Sequence, residues 1–120
     1  MQAGDLHQRV QTATNEGDIN GLVELYEPDA RMLRDDGSVA KGLDAIRDIW
    51  AGLVAVGGQI SMTTRYVVET GDTALLSNSW TFKVEDMSFS GVTAEVARRQ
   101  ADGSWLYLID NPYAGRNEDA

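Results

Sequence analysis

The chain predicts an α+β fold, with N-terminal helices packed on a curved, mainly antiparallel sheet in the order ααβαββββ. Three observations carry that expectation. Apolar residues recur at helical spacing as far as Gly58 and alternate with period two after it. The candidate strands beyond Gly58 are joined by connections of only a few residues, which suit an antiparallel meander. A chain of 120 residues is about one domain, so residues 1–120 are expected to fold around one core.

The first helix is expected over 4–16, "GDLHQRVQTATNE", where Leu6, Val10, Ala13 and Thr14 form one stripe and Asp5 is a candidate N-cap. His7, in its first turn, is expected at the surface. Asp18 is placed to cap a second helix, "INGLVELYE", burying Ile19, Leu22, Val23 and Tyr26 and stopping at Pro28. A strand "ARMLR" and the turn "DDGS" follow. The third helix, "GLDAIRDIWAGLVAVGG", carries Leu43, Ile46, Trp50, Leu53 and Val54 on one face and ends at Gly57 and Gly58. Four strands remain: "QISMTTRYVVE", "DTALLSNSWTFKV", "SFSGVTAEVARRQ" and "SWLYLIDNP". The polar tail, 114–120, is expected to fray.

Composition removes several function classes. There is no cysteine, hence no disulfide framework, thiolate zinc site or cysteine nucleophile, and the single histidine makes a His-rich metal site or a Ser-His-Asp triad implausible. A formal net charge of -9 opposes binding to phosphate backbones or anionic membranes. No apolar run approaches the roughly 18 residues of a membrane span, and no leader is evident, so a cytoplasmic protein is the expectation.

The last two strands pose a chemical question. With Asp102 and Gly103 as a two-residue turn, Arg99 faces Leu106, Ala97 faces Leu108, and Glu95 lands opposite Asp110. Opposed residues on an antiparallel pair have Cβ atoms about 4.5 to 5.5 Å apart, and like charges there repel. In a partly desolvated pocket one of the two acids holds its proton near neutral pH, which gives a donor and an acceptor from the same chemistry. Strand alternation puts Leu76, Asn78, Trp80 and Phe82 on the enclosed side of the preceding strand, so Asn78 and Trp80 join the candidate site. In the last strand Leu106, Leu108 and Asp110 separate from Trp105, Tyr107 and Ile109. Both sets are apolar enough to pack, one over the pocket and the other over a second subunit, hence a homodimer through Trp105, Tyr107 and Ile109 is expected.

The segments "NEGDINGLVELYEPDARM", "KGLDAIRDIW" and "DGSWLYLIDNPY" resemble the NTF2-like superfamily, specifically its SnoaL-like and ketosteroid-isomerase-like members, over about Leu6 to Tyr113. The resemblance implies a cystatin-like cone, a sheet wrapped around helices with a pocket at its wide end, and dimers formed through the sheet. By resemblance to ketosteroid isomerase, Glu95 falls where that enzyme keeps a protonated acid. By resemblance to limonene epoxide hydrolase, Asp110 falls on an aspartate of its Asp-Arg-Asp set. The departures matter as much: Arg34 stands where the isomerase has its base, Val10 where it has its oxyanion tyrosine, and Asn78 and Trp80 where the hydrolase has Arg and Asp. A guanidinium is protonated at any ordinary pH and cannot be that base.

Two readings follow. In the first, the chain is a small-molecule enzyme without metal or organic cofactor: Glu95 and Asp110 share a proton, Asn78 and Arg34 hold a substrate oxygen, and Trp80, Trp50, Tyr26, Leu108 and Val10 wall a hydrophobic substrate with oxygen functions. Isomerisation, dehydration, epoxide opening and ring closure all stay open. In the second, the chain is a binding or dimerisation module, and Arg34 neutralises the acids in a fixed salt bridge.

Overall fold

The structure, a computed structural model, describes residues 1–115; most of the tail expected to fray lies outside the described residues. Helix α1 (Asp5–Glu16) forms where the apolar stripe predicts it, although Gly4, not Asp5, is the cap; Asp5 instead accepts from the Gln2 N–H at 2.8 Å. In α2 (Ile19–Val23) Asp18 does cap, accepting from the Gly21 N–H at 2.9 Å.

Here the structure corrects the sequence reading. α2 stops at Val23, and Tyr26 opens strand β1 (Tyr26–Leu33). The last strand captures this backbone: the Tyr107 N–H donates to the Leu25 carbonyl at 2.8 Å, and Tyr26 pairs with Tyr107 in parallel register. Pro28, which lacks an N–H, sits in the stretch where that register shifts, so it costs the ladder no bond. A short strand the sequence did not announce, β2 (Val39–Lys41), completes a hairpin with β1.

Helix α3 (Gly42–Val56) ends at Gly57, as its pattern predicts. Strands β3 (Gln59–Thr70) and β4 (Thr73–Val84) form a long antiparallel pair. The run expected as one strand over 88–100 is two, β5 (Met87–Val92) and β6 (Ala94–Arg99), each pairing with its own half of β4. Thr93 divides them, its N–H donating to the Asn78 carbonyl while its hydroxyl accepts from the Asn78 N–H. With β7 (Trp105–Asn111) the sheet runs β2-β1-β7-β6-β4-β3, and β5 hangs on β4. The strands after Gly58 thus form the expected antiparallel meander, β3-β4-β6-β7, and β1 joins its edge in parallel beside β7.

The hairpin between β6 and β7 decides which residues face inward. Its loop has three residues, not two: the Gln100 N–H donates to the Ser104 carbonyl, and Gly103 adopts φ +87°, the left-handed conformation that this loop requires at its third residue. Near the turn the pairing is therefore displaced by one, Arg98 to Leu106 and Ala97 to Tyr107. A bulge then restores the register, so that Val96 faces Ile109 and Glu95 faces Asp110 as expected. Trp105 and Tyr107, expected on an outer dimer face, point inward and are each 2% exposed; of that trio only Ile109 lies outside. The helices cover the inner face of the sheet, where Leu6, Leu22, Met32, Ile46, Leu76 and Tyr107 build the core. Among the described residues no helix is long and apolar enough to cross a membrane.

Candidate active site

Between the helices and the inner face of the sheet lies a cavity of about 680 Å³. Its wall is apolar: Val10 from α1, Ile49, Trp50 and Leu53 from α3, Ile60 and Met62 from β3, Trp80 and Phe82 from β4. Volume and lining suit a small organic ligand. Polar groups gather at one end, where Tyr26, Asn78, Thr93, Glu95, Tyr107 and Asp110 come together from β1, β4, the link between β5 and β6, β6 and β7.

Asp110 is the centre of this group. Its Oδ2 accepts from the Tyr26 hydroxyl at 2.6 Å, and Tyr26 in turn accepts from the Trp50 indole N–H at 3.2 Å. Burial, and after it the negative charge of Glu95, push the Asp110 carboxyl up to about 7, while the Tyr26 hydrogen bond opposes the shift. The two phenols are displaced too. Burial holds Tyr26 well above the ordinary tyrosine value, with Asp110 adding to it, and burial followed by the charges of Glu95 and Asp110 does the same for Tyr107. Both phenols therefore keep their protons at neutral pH, as hydrogen-bond donors. Their rings lie 5.2 Å apart at 45°.

Glu95 has a different partner. Its Oε1 lies 2.5 Å from His7 Nε2, and His7 Nδ1 lies 2.8 Å from the Thr64 hydroxyl, so α1, β3 and β6 meet through one imidazole. Because the other ring nitrogen engages Thr64, the ring is oriented from both sides. His7, expected at the surface, is buried. A sequence signal existed for it, since His7, Val10 and Thr14 follow one another at helical spacing on the buried stripe. Among the described residues, the other Glu95 oxygen, Oε2, and Asn78 Oδ1 are buried without a hydrogen-bond partner.

Thus, of the residues singled out in the sequence, Glu95, Asp110, Asn78, Trp80, Trp50, Tyr26 and Val10 line the cavity. Arg34 and Leu108 do not. Arg34 lies in the turn between β1 and β2, its N–H donating to the Ser38 carbonyl and its guanidinium to the Ser38 hydroxyl at 3.3 Å, because β2 carries the chain away before the side chain can reach the acids. The salt bridge foreseen between Arg34 and the acids is therefore replaced by the one between His7 and Glu95. Leu108 is the residue left over at the β7 bulge, and Tyr107 takes the inward place intended for it. Among the described residues, no three His, Cys, Asp or Glu side chains stand close enough to hold a metal ion.

Chemically, the site offers a carboxyl that both binds and releases a proton near pH 7, held by a phenol and an indole at the polar end of an apolar chamber. That is the equipment of general acid and base catalysis.

The family model of the SnoaL-like domain matches residues 7–108. No curated protein matches. Among solved structures, an NTF-2 like protein of unknown function from Shewanella oneidensis superposes with a TM-score of 0.79 at 17% identity, covering 90% of this chain and 93% of that one. A ketosteroid isomerase-like protein from Erwinia carotovora atroseptica gives 0.73 at 20% identity, covering 90% and 89%. A domain of unknown function with a cystatin-like fold from Nostoc punctiforme gives 0.81 at 13% identity, covering 99% and 82%. At these identities the structures are similar to this chain in fold.

Proposed function

We propose that this chain, which belongs to the SnoaL-like family, is an acid/base enzyme moving a proton on an apolar, oxygen-bearing small molecule. The observation that carries the reading is Asp110, a buried carboxyl facing Glu95 and tied to Tyr26, which exists in both protonation states near neutral pH. Asp110 as carboxylate takes a proton from a carbon beside a carbonyl, and as acid it returns one to the resulting enolate. Tyr107, kept protonated, stands by the developing charge, while Tyr26 steadies Asp110 through its hydroxyl. Isomerisation, dehydration and ring closure share this step. None of them needs an organic cofactor for it.

A second reading, a ligand-binding module, draws on the His7 and Glu95 pair, which ties up one oxygen of the second acid. One assay separates the two. In D₂O, exchange of the C–H groups beside the carbonyl of an apolar cyclic ketone such as 2-tetralone is followed by NMR. The enzyme reading expects acceleration over buffer, falling roughly a hundred-fold or more in Asp110→Asn. Exchange at the buffer rate across a panel of such ketones leaves the binding module.

A further inference from the structure

Among the described residues, two buried polar atoms without partners, Glu95 Oε2 and Asn78 Oδ1, belong to side chains that line the same cavity. Their residues are 2% and 3% exposed, so bulk water does not serve them. Both atoms are acceptors. They belong to neighbouring strands: Glu95 is paired with Leu76, two residues before Asn78, so the two side chains lie diagonally on the inward face of the sheet.

The nearby donors are committed elsewhere. The Trp50 N–H goes to Tyr26, the Tyr26 hydroxyl to Asp110, and His7 faces Glu95 Oε1 and Thr64. The Trp80 N–H goes to the Pro112 carbonyl. Neither the Tyr107 nor the Thr93 hydroxyl stands within hydrogen-bond reach of the two acceptors, which leaves both unmet. Buried acceptors left this way are costly, and a ligand that brings donors recovers the loss.

Charge selects among donors. The described residues lining the cavity include two carboxylic acids and no lysine, arginine or histidine, and the chain as a whole carries -9. A positive head would relieve the repulsion between Glu95 and Asp110, and Trp50, bonded to Tyr26 beside Asp110, and Trp80, two residues from Asn78 on β4, offer aromatic faces in the same cavity. Beyond the head, Val56, Met87 and Phe89 line the cavity while staying largely exposed, an apolar approach to its mouth.

We infer that Glu95 Oε2 and Asn78 Oδ1 form a subsite for the protonated primary amine of an otherwise apolar ligand. The inference rests on the acid/base reading in taking that ligand to be the substrate: the ammonium anchors at Glu95 and Asn78, and Asp110 is left for the reacting carbon. As a statement about binding it stands by itself.

The test uses the wild-type protein and three probes that share one apolar body: 1-naphthylmethylamine, 1-naphthylmethanol and 1-naphthoate, with affinities from titration calorimetry at pH 7. The amine is expected to bind about ten-fold tighter than the alcohol, as a charge-assisted bond replaces a neutral one, and the carboxylate most weakly. In Glu95→Gln and Asn78→Leu, where they fold, the amine loses most of its advantage over the alcohol. An alcohol that binds as tightly as the amine overturns the inference, and is the result expected if Asn78 turns its amide N–H inward. Tighter binding of the carboxylate, or no binding of any probe at millimolar concentration, overturns it as well. Amine-selective binding without ketone exchange would remove the catalytic reading and keep this one; exchange without amine preference does the reverse.

Discussion

The Tyr26 hydroxyl donates to Asp110 across the parallel pair β1 and β7, at 2.6 Å, although the two residues are 84 positions apart in the chain. This bond is the one influence that lowers the Asp110 titration; burial and Glu95 raise it. Tyr26→Phe is therefore expected to move it further above about 7, by about one unit for the loss of one hydrogen bond to a charged group. Carboxyl-selective NMR titration reads the shift directly. An unchanged or lower midpoint would contradict the geometry.

Asp110 also makes stability depend on pH. The folded protein binds its proton more tightly than the unfolded chain, whose aspartate titrates near 3.8. Its contribution is thus fully present below about pH 4 and is lost as pH rises from there through about 7. The difference across that window is on the order of 4 kcal/mol for a shift of about three units. Asp110→Asn is neutral at every pH, and its amide oxygen keeps a partner for Tyr26. Urea denaturation at pH 5 and pH 8 should show the wild type losing stability toward pH 8 and the variant losing much less.

Among the described residues His7 is the sole side-chain partner of Glu95, and both are almost completely buried. Replacing it by an apolar residue strands a buried carboxylate, a loss of about 3 to 5 kcal/mol when one partner of a buried pair is removed. His7→Leu, similar in bulk, should lower the urea midpoint accordingly at pH 7. A loss below about 1 kcal/mol would show that Glu95 finds another partner.

Gly91 faces Trp80 across β4 and β5, and a Cβ there would stand 2.5 to 2.9 Å from three atoms of the indole. Gly91→Ala should displace a ring that walls the cavity, at a cost of about 1 to 3 kcal/mol. Its signature is a changed Trp80 environment with weaker binding of naphthyl probes. Trp50→Phe and Trp105→Phe backgrounds let fluorescence isolate the affected indole.

On the outer face of the sheet, Val68, Leu75, Val96 and Ile109 stand opposite one another in sequence across β3, β4, β6 and β7. Val68 is 58% exposed, Leu75 42% and Ile109 47%. We propose that a second copy covers this row, an occupant consistent with its continuity across four strands. Sedimentation should give a dimer that Leu75→Arg dissociates. A monomeric wild type at high micromolar concentration would dismiss the proposal.

Much of the site was legible because its signals are local. The inward alternation of Leu76, Asn78, Trp80 and Phe82 depends only on strand pleat, and it holds. The pairing of Glu95 with Asp110 also holds, but for a reason the sequence reading did not contain: a three-residue loop shifts the register by one and the bulge at Leu108 shifts it back. Between those two events Trp105 and Tyr107 are turned to the opposite face, which is why these two of the three expected dimer residues proved to be core.

By itself, the sequence determined the α+β class, the helix stripes, the strand alternation and an acidic surface, since each follows from residue type at short spacing. Only the tertiary structure decided the partners of the acids. Tyr26 reaches Asp110 because β1 runs parallel beside β7, and His7 reaches Glu95 because α1 lies across β3 and β6. It also left Arg34 in a turn, outside the site. Hydrogen bonds between residues tens of positions apart are set by how elements pack, and no local period encodes that.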